Sequence, residues 1–192
     1  LSAWEDLSIE SVTSTAGTKF ERQADGSWLA AGNAPAKEVI TVVATTKRQN
    51  LQAIRLEALT HDSFPRKGPG RAVNGNFALG SFQVTAQPPS PGSAGTVAIL
   101  KAARATHQQN GGSLSVAASI DQDPISGWAV DQGGIGKDQA AGFDFASPVG
   151  YEGGTRLTIE LTFNHPNTKH TIGRFRLGVT DRQSPKAELG NA

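Results

Sequence analysis

The chain has 192 residues, in which 18 lysines and arginines nearly balance 17 aspartates and glutamates, for a formal net charge of +1. Such a chain has no large positive field, so nucleic acid and anionic membrane surfaces are not expected as partners. The sequence contains no cysteine, which excludes a disulfide framework, a thiolate zinc site and a catalytic thiol. No apolar run approaches the roughly 18 residues that a membrane-spanning helix needs, so membrane insertion is not expected either.

Apolar and polar residues alternate along most of the predicted elements, which is the period of a β-strand with one buried face. Residues 39–44 are instead apolar on both faces, as in a central strand between packed layers. Residues 97–107 are compatible with a helix, but we favour a strand. In chain order, the predicted strands are 39–44, 54–58, 77–84, 97–107, 114–120, 157–163 and 172–179.

One predicted strand changes parity part-way along its length. Phe77 and Leu79 occupy odd positions and point to one face of the strand, whereas Phe82 and Val84 occupy even positions and point to the other face. If both pairs face the core, one extra residue must be absorbed near Gly80, as in a β-bulge. We therefore expect a bent strand.

Turn residues separate these runs at strand-like spacing, and no recurring helix lies between them. This pattern predicts an all-β fold, an antiparallel β-sandwich of the jelly-roll type. We expect residues 1–192 to form a single domain. Because the chain starts at Leu1 and contains no methionine, we also expect it to be part of a larger multidomain protein.

The glycine-rich loop at residues 68–76 precedes the bent strand and carries three polar candidates for ligand binding. Arg71, Asn74 and Asn76 supply donors and acceptors suited to a hydroxyl-rich or sulfated ligand, with the arginine forking onto neighbouring oxygens. The alternative is a loop that satisfies itself, since asparagines tolerate positive φ and bond their own backbone.

The segment 119–130, "SIDQDPISGWAV", predicts a metal site. Asp121 and Asp123 lie two apart in a proline-containing turn and are followed by Ser126. Together with loop carbonyls, their oxygens suit a structural calcium ion, which takes six to eight oxygen ligands. The alternative is a pair of turn-forming aspartates that cap their own backbone.

Two tryptophans and one histidine complete the set of candidates. Trp28 and Trp128 each follow a predicted turn, where an indole face can stack on a sugar ring; burial in the core is the alternative. His165 and His170 lie five apart across a Pro-Asn turn. We include His170 among the ligand-binding candidates, with loop hydrogen bonding as its alternative role.

The sequence holds no nucleophile elbow, phosphate-binding loop or His-Glu-x-x-His pattern. Glu57 and Glu160 lie on strand faces, but nothing in the sequence places them opposite each other across a cleft, as the two acids of a glycosidase must be. We therefore do not expect an enzyme.

Five stretches together resemble a domain of large secreted planctomycete proteins that also carry c-type cytochrome segments. These stretches are "DGS", "AIRLEAL", "PGRAVNGNFALGSFQV", "SIDQDPISGWAV" and "TIGRFRLGVT". The resemblance covers most of the chain and is most specific in "GRAVNGNFALGSF" and "HTIGRFRL". It implies an extracytoplasmic location, whether secreted, cell-surface or periplasmic.

The stretch "SIDQDPISGW" separately resembles the calcium turn of discoidin-like, galactose-binding jelly rolls, which are often carbohydrate-binding modules. Gln122 stands where these turns usually have glycine, and Gln139 stands where the planctomycete pattern often has histidine. The resemblance to discoidin-like jelly rolls implies a sugar ligand and a calcium ion.

These observations predict a non-catalytic carbohydrate-binding module that recognises a polysaccharide or oligosaccharide outside the cell. The alternative is a structural or protein-docking module that contacts other domains of the parent chain, in which case the loop residues satisfy only themselves.

Overall fold

Strands make up most of the regular structure in residues 3–190, which are the residues that the computed structural model describes. Residues 1, 2, 191 and 192 of the expected 1–192 domain lie outside this range. Two short 3₁₀ segments occur, Pro65–Lys67 and Val116–Ser119. The strands are β1 (Glu5–Asp6), β2 (Ser8–Ser14), β3 (Lys19–Arg22), β4 (Trp28–Ala31), β5 (Glu38–Thr46), β6 (Leu51–Ala58), β7 (Ala78–Leu79), β8 (Ser81–Gln87), β9 (Thr96–Val97), β10 (Leu100–Ala105), β11 (Trp128–Ala129), β12 (Gln139–Val149), β13 (Thr155–Phe163) and β14 (Arg174–Thr180).

The strands form two main sheets. Sheet A has the order β10-β12-β6-β14-β4-β3, with β1 also paired to β14, and sheet B has the order β2-β5-β13-β8-β9. A third, two-stranded sheet consists of β7 and β11. Every pairing between named strands is antiparallel. The predicted all-β antiparallel sandwich is confirmed, and its strand order is compatible with a jelly roll.

The core lies between the two sheets because the alternating residues of each sheet point inward. Ile54 and Leu56 of β6 belong to the same apolar cluster as Leu157 and Ile159 of β13, and all four are fully buried. Burying a side chain of this size contributes roughly 1.5–3 kcal/mol. Across the same interior, the rings of Phe82 and Phe143 stack with centroids 4.3 Å apart and so link sheet B to sheet A.

Strand β10 (Leu100–Ala105) occupies most of residues 97–107, where we favoured a strand, and lies at the edge of sheet A. The strand expected at 114–120 is wrong, because this segment forms the 3₁₀ turn Val116–Ser119. Its backbone N–H groups bond to local carbonyls, such as Ala118 N–H to the Ser115 carbonyl at 3.1 Å, and to side chains, and not to a neighbouring strand. The Asn110 side chain accepts from Leu114 N at 3.0 Å, and Gln108 accepts from Val116 N at 3.0 Å.

In place of the single bent strand expected around Gly80, the chain forms two separate strands, β7 and β8, that meet at this residue. β7 pairs with β11 in the two-stranded sheet, whereas β8 joins sheet B. A Cβ at Gly80 would lie 2.5 Å from Asn164 Oδ1, so a larger residue at this change of direction would require the Asn164 side chain to move. Within residues 3–190, no helix has the length and apolar character required to cross a membrane.

Candidate functional site

The glycine-rich loop before β7 is closed tightly on itself. Gly70 N–H donates to the Gly75 carbonyl at 2.9 Å, and Gly75 N–H donates to the Ala72 carbonyl at 2.8 Å. A Cβ at Gly70 would lie 1.9 Å from the backbone oxygen of Asn76, so any other residue would force the loop open. The loop is also tied to the segment before β14, because Arg71 N–H donates to the Thr171 carbonyl at 2.9 Å.

Arg71 is a buried cation with incomplete hydrogen bonding. Its residue exposure is 7%, and its Nη2 donates to the Gly32 carbonyl. Its Nη1 is buried and has no hydrogen-bond partner in residues 3–190. Burial lowers the pKa of Arg71, and the negative charge of Glu38 opposes this effect. The Glu38 oxygens are themselves occupied, since they accept from the hydroxyls of Ser14 at 2.8 Å and Thr171 at 2.6 Å.

Arg71 forms part of the wall of a cleft of about 800 Å³, which we call the Arg71 cleft. Its basic side chains are those of Arg71, Lys169 and His61. Apolar surface comes from neighbouring side chains, among them Val73, which is 89% exposed. The cleft is lined by Leu29, Ala30, Ala31, Gly32, Asn33, Ala34, His61, Ser63, Phe64, Pro65, Arg71, Val73 and Lys169.

The two loop asparagines bond within the protein. Asn76 is 4% exposed, and its side chain donates to Gln109 Oε1 at 3.0 Å and accepts from Val130 N at 3.0 Å. Asn74 Oδ1 accepts from Asn76 N at 3.2 Å, and its amide nitrogen lies 3.4 Å from Asp131 Oδ2. Neither lines the Arg71 cleft. The expectation that they bind a ligand beside Arg71 does not fit this arrangement, which matches the alternative of a self-satisfied loop.

The two candidate tryptophans lie in different environments. Trp128 is fully buried, packs edge-on against Phe77 with ring centroids 5.0 Å apart, and donates its indole N–H to the His107 carbonyl at 2.9 Å. The expectation that Trp128 stacks on a surface ligand is wrong, because its ring has no solvent-facing side. Trp28 is half-buried.

Trp28 lines a second cleft of about 700 Å³, the Trp28 cleft. Its charged lining residues are Arg22, Asp6 and Asp25. The Asp25 carboxylate accepts from Arg174 at 2.6 Å. Burial alone would raise the pKa of Asp25, but hydrogen bonds from Ser27 and the Arg174 charge lower it overall.

His170 lies outside both clefts but directly after Lys169. Its Nδ1 is 3.0 Å from the Thr168 carbonyl, and its ring centroid is 6.0 Å from that of His165. Partial burial and, to a lesser degree, the His170 charge lower the pKa of His165. The position of His170 matches loop hydrogen bonding better than ligand contact.

The expected calcium turn brings its three residues together. Ser126 Oγ lies 2.9 and 2.8 Å from the two Asp121 carboxylate oxygens and 3.2 Å from the carbonyls of Ala118 and Asp123. One hydroxyl proton therefore faces four acceptor oxygens. Asp121 and Asp123 also accept from backbone N–H groups two residues onward, as in the turn-capping alternative. Calcium binding here stays a prediction.

A feature that the sequence did not indicate is a buried layer of charge on the outer face of sheet A. Arg55 and Glu57 of β6 and Arg176 of β14 are 1%, 0% and 5% exposed. The register places Arg176 opposite Glu57 and Gly178 opposite Arg55. The alternation in 172–179 predicts one buried face, but Arg176 on the other face is covered as well.

Residues 185–190, which we call the cover segment, lie over this layer. Its backbone bonds directly to four side chains, those of Trp4, Arg55, Arg104 and Glu57. The Arg55 guanidinium also lies 5.5 Å from the centre of the Trp4 ring, within the range of a cation–π interaction. The charged residues Arg55, Glu57 and Arg176 at alternate positions of β6 and β14 were the only sequence signal of this layer. Such alternation does not reveal that another segment covers the charged face.

Glu57 and Glu160 do not form a carboxylate pair. Glu57 lies on the outer face of sheet A, held by Arg176 and Arg55. Glu160 is exposed on β13, where the alternate residues face the core. The two acids therefore lie on opposite outer faces of the sandwich.

Comparison with known proteins gave no match to a protein-family model, to a curated protein or to a solved structure.

Proposed function

We propose that this domain is a non-catalytic carbohydrate-binding module, and that it holds a sugar of an extracellular polysaccharide in the Arg71 cleft. The observation that carries the proposal is the buried Arg71 in the wall of this cleft, with a guanidinium nitrogen that lacks an acceptor in residues 3–190. A sugar hydroxyl or acidic group that reaches this side chain supplies an acceptor oxygen.

The walls of the cleft combine the two kinds of surface that a sugar ring needs. Arg71, Lys169, His61 and Ser63 provide hydrogen-bonding groups. Val73 and its apolar neighbours provide surface against which the C–H faces of a pyranose ring can pack. The tightly closed glycine loop fixes Arg71 before the ligand arrives, which reduces the entropy cost of binding.

Affinity gel electrophoresis with immobilised acidic, sulfated and neutral polysaccharides tests this proposal. We expect at least one polysaccharide to retard the domain, and Arg71→Ala to weaken this binding by about 10- to 100-fold, the loss typical of a hydrogen bond to a charged group. The control is Arg156→Ala, whose side chain is 41% exposed and pairs with Glu10 outside the cleft. Equal loss in both variants, or no retardation by any polysaccharide, would contradict the proposal.

A structural calcium ion at the Asp121 turn and an extracytoplasmic location belong to the same proposal. The proximity of the Asp121 carboxylate, the Asp123 carbonyl and the Ser126 hydroxyl in one turn supports the ion. The location is supported by the resemblance to the secreted planctomycete domain.

The second candidate is a module that docks another domain of the parent chain. Val97 and Ile99 are 51% and 68% exposed and line a groove of about 290 Å³ beside the edge strands β9 and β10. Exposed apolar residues grouped in this way are typical of interaction surfaces. A double substitution, Val97→Asp with Ile99→Asp, would abolish binding to the remainder of the parent chain and leave polysaccharide binding intact.

A further inference from the structure

We infer that the group selected by the Arg71 cleft is an oxyanion, a carboxylate or sulfate borne by the sugar; this inference rests on the proposed carbohydrate function and names its ligand class. The shared chemistry is a compact, negatively charged set of acceptor oxygens. Arginine recognises such groups in preference to neutral hydroxyls because its planar fork matches their oxygen spacing.

The charges that line the cleft have one sign. Arg71 and Lys169 are both positive, and no aspartate or glutamate lines the cleft within the described part of the chain. The Trp28 cleft differs, since Asp6 and Asp25 oppose Arg22 there. Of these two clefts, the Arg71 cleft is therefore the one whose local field attracts an anion.

Arg71 has no anionic partner within the described part of the chain. No carboxylate oxygen in residues 3–190 forms an ion pair with this guanidinium within 4.0 Å. The nearby Glu38 is turned to the hydroxyls of Ser14 and Thr171. A buried cation without a direct ionic partner destabilises the protein. An oxyanion that pairs with Arg71 therefore gains more binding free energy than it would from pairing with an exposed arginine.

The two cations are also held in position by one short segment. Lys169 N–H donates to the Ala36 carbonyl at 2.9 Å, and the Thr171 carbonyl accepts from Arg71 N–H at 2.9 Å. Residues 169–171 therefore carry one cation and anchor the other. This arrangement fixes their backbones before a ligand binds, as a preformed anion site requires.

Calorimetric titration with matched polymers tests the inference: polygalacturonate against its fully methyl-esterified form, and a sulfated galactan against its desulfated form. We expect at least one charged polymer to bind tenfold or more tightly than its neutral partner, with a preference that decreases as salt is raised. Free inorganic sulfate, titrated alone, should bind at least tenfold more weakly than the sulfated polymer. If it binds equally well, a sugar-borne oxyanion is ruled out.

Arg71→Gln and Lys169→Gln should each reduce the preference for the charged polymer. The control Arg22→Gln removes the same charge at the Trp28 cleft and should leave the preference unchanged. If Arg71→Gln fails to fold, the exposed Lys169 still tests the inference. Equal binding of the charged and neutral forms would overturn the oxyanion and leave the carbohydrate function standing, whereas no binding of either form would overturn both.

Discussion

Arg176 of β14 forks onto Glu57 of β6, with 2.7 Å between Nε and Oε2 and 3.1 Å between Nη2 and Oε1. Glu57 is fully buried and also lies 3.1 Å from Arg55 Nη2. The hydrogen bond to Glu57 raises the pKa of Arg176, although burial opposes it. Glu57 is therefore the buried carboxylate that both guanidinium groups share, and the more exposed Asp6 and Asp25 pair with Arg55 at 3.1 Å and with Arg176 at 3.7 Å.

Glu57→Gln should be strongly destabilising, because it keeps the shape of the side chain but leaves Arg55 and Arg176 without their shared counter-charge. We expect a loss of about 3–5 kcal/mol, the cost of removing one partner of a buried ion pair, measured by urea unfolding. The matched control Glu160→Gln on the exposed face of β13 should change stability by about 0.5 kcal/mol or less. Similar values for the two variants would show that the buried layer contributes little.

Asn76→Ala should destabilise the domain by about 1–3 kcal/mol, the cost of leaving a buried polar group without its partner. This substitution removes the acceptor of Val130 N and the donor to Gln109. Asn74→Ala, in the same loop but only half-buried, should cost less. Thermal unfolding of both variants checks the order, and a larger effect at Asn74 would contradict the structural role given to Asn76.

Gly70→Ala should disrupt the loop that carries Arg71, because its Cβ would lie 1.9 Å from the Asn76 carbonyl oxygen. We expect reduced stability and weaker polysaccharide binding. Gly111→Ala is the control, since its Cβ would have no neighbour within 4 Å. Unchanged binding and unfolding in Gly70→Ala would mean that the loop relaxes without moving Arg71.

Calcium should raise the melting temperature if the Asp121 turn holds the ion. A free ion concentration 100 times the Kd would stabilise the fold by about 2.7 kcal/mol, and a chelator would reverse the change. Asp121→Asn should abolish the response, whereas Asp62→Asn, at a side chain that is 92% exposed, should preserve it. A melting temperature that is insensitive to both calcium and chelator removes the ion from the proposal.

Stability should decrease as the pH falls through the range of the His165 imidazole. The folded-state pKa of His165 lies below its ordinary value of 6.5, chiefly because of burial, so the folded protein disfavours the charged form. The stability that comes from the neutral His165 ring is therefore fully present when the pH is above the pKa of His165 in the unfolded chain. It is lost as the pH falls from that value through the lower pKa of the folded protein. His165→Gln should flatten this part of a plot of unfolding free energy between pH 8 and pH 5; an identical profile would contradict the assignment.

The periodicity of apolar residues in the sequence was sufficient to predict the antiparallel β-sandwich. Residues 54–58 and 157–163 alternate strictly because one face of each strand packs in the core. The same reasoning was wrong for 114–120, where side-chain acceptors such as Asn110 replace a strand partner. Alternation describes which side chains point the same way, but not what the backbone N–H groups bond to.

The site was predicted only in part. The polar loop drew attention to Arg71, but its burial depends on Gly32 and Thr171, which are distant in sequence. Trp128 follows a turn in the sequence and is nevertheless buried, because Phe77 packs against it. The charge on sheet A is hidden by the cover segment, more than a hundred residues after β6. Such long-range packing leaves no periodic signal.

The position of the cover segment has a practical consequence for the choice of recombinant boundaries. A fragment that ends before Pro185 would retain β1 to β14, and by strand content alone it would pass as a complete sandwich. It would nevertheless admit water to Glu57 and Arg55, which the cover segment touches in the full chain. Such a trimmed fragment would therefore be a poor reference for measurements of stability.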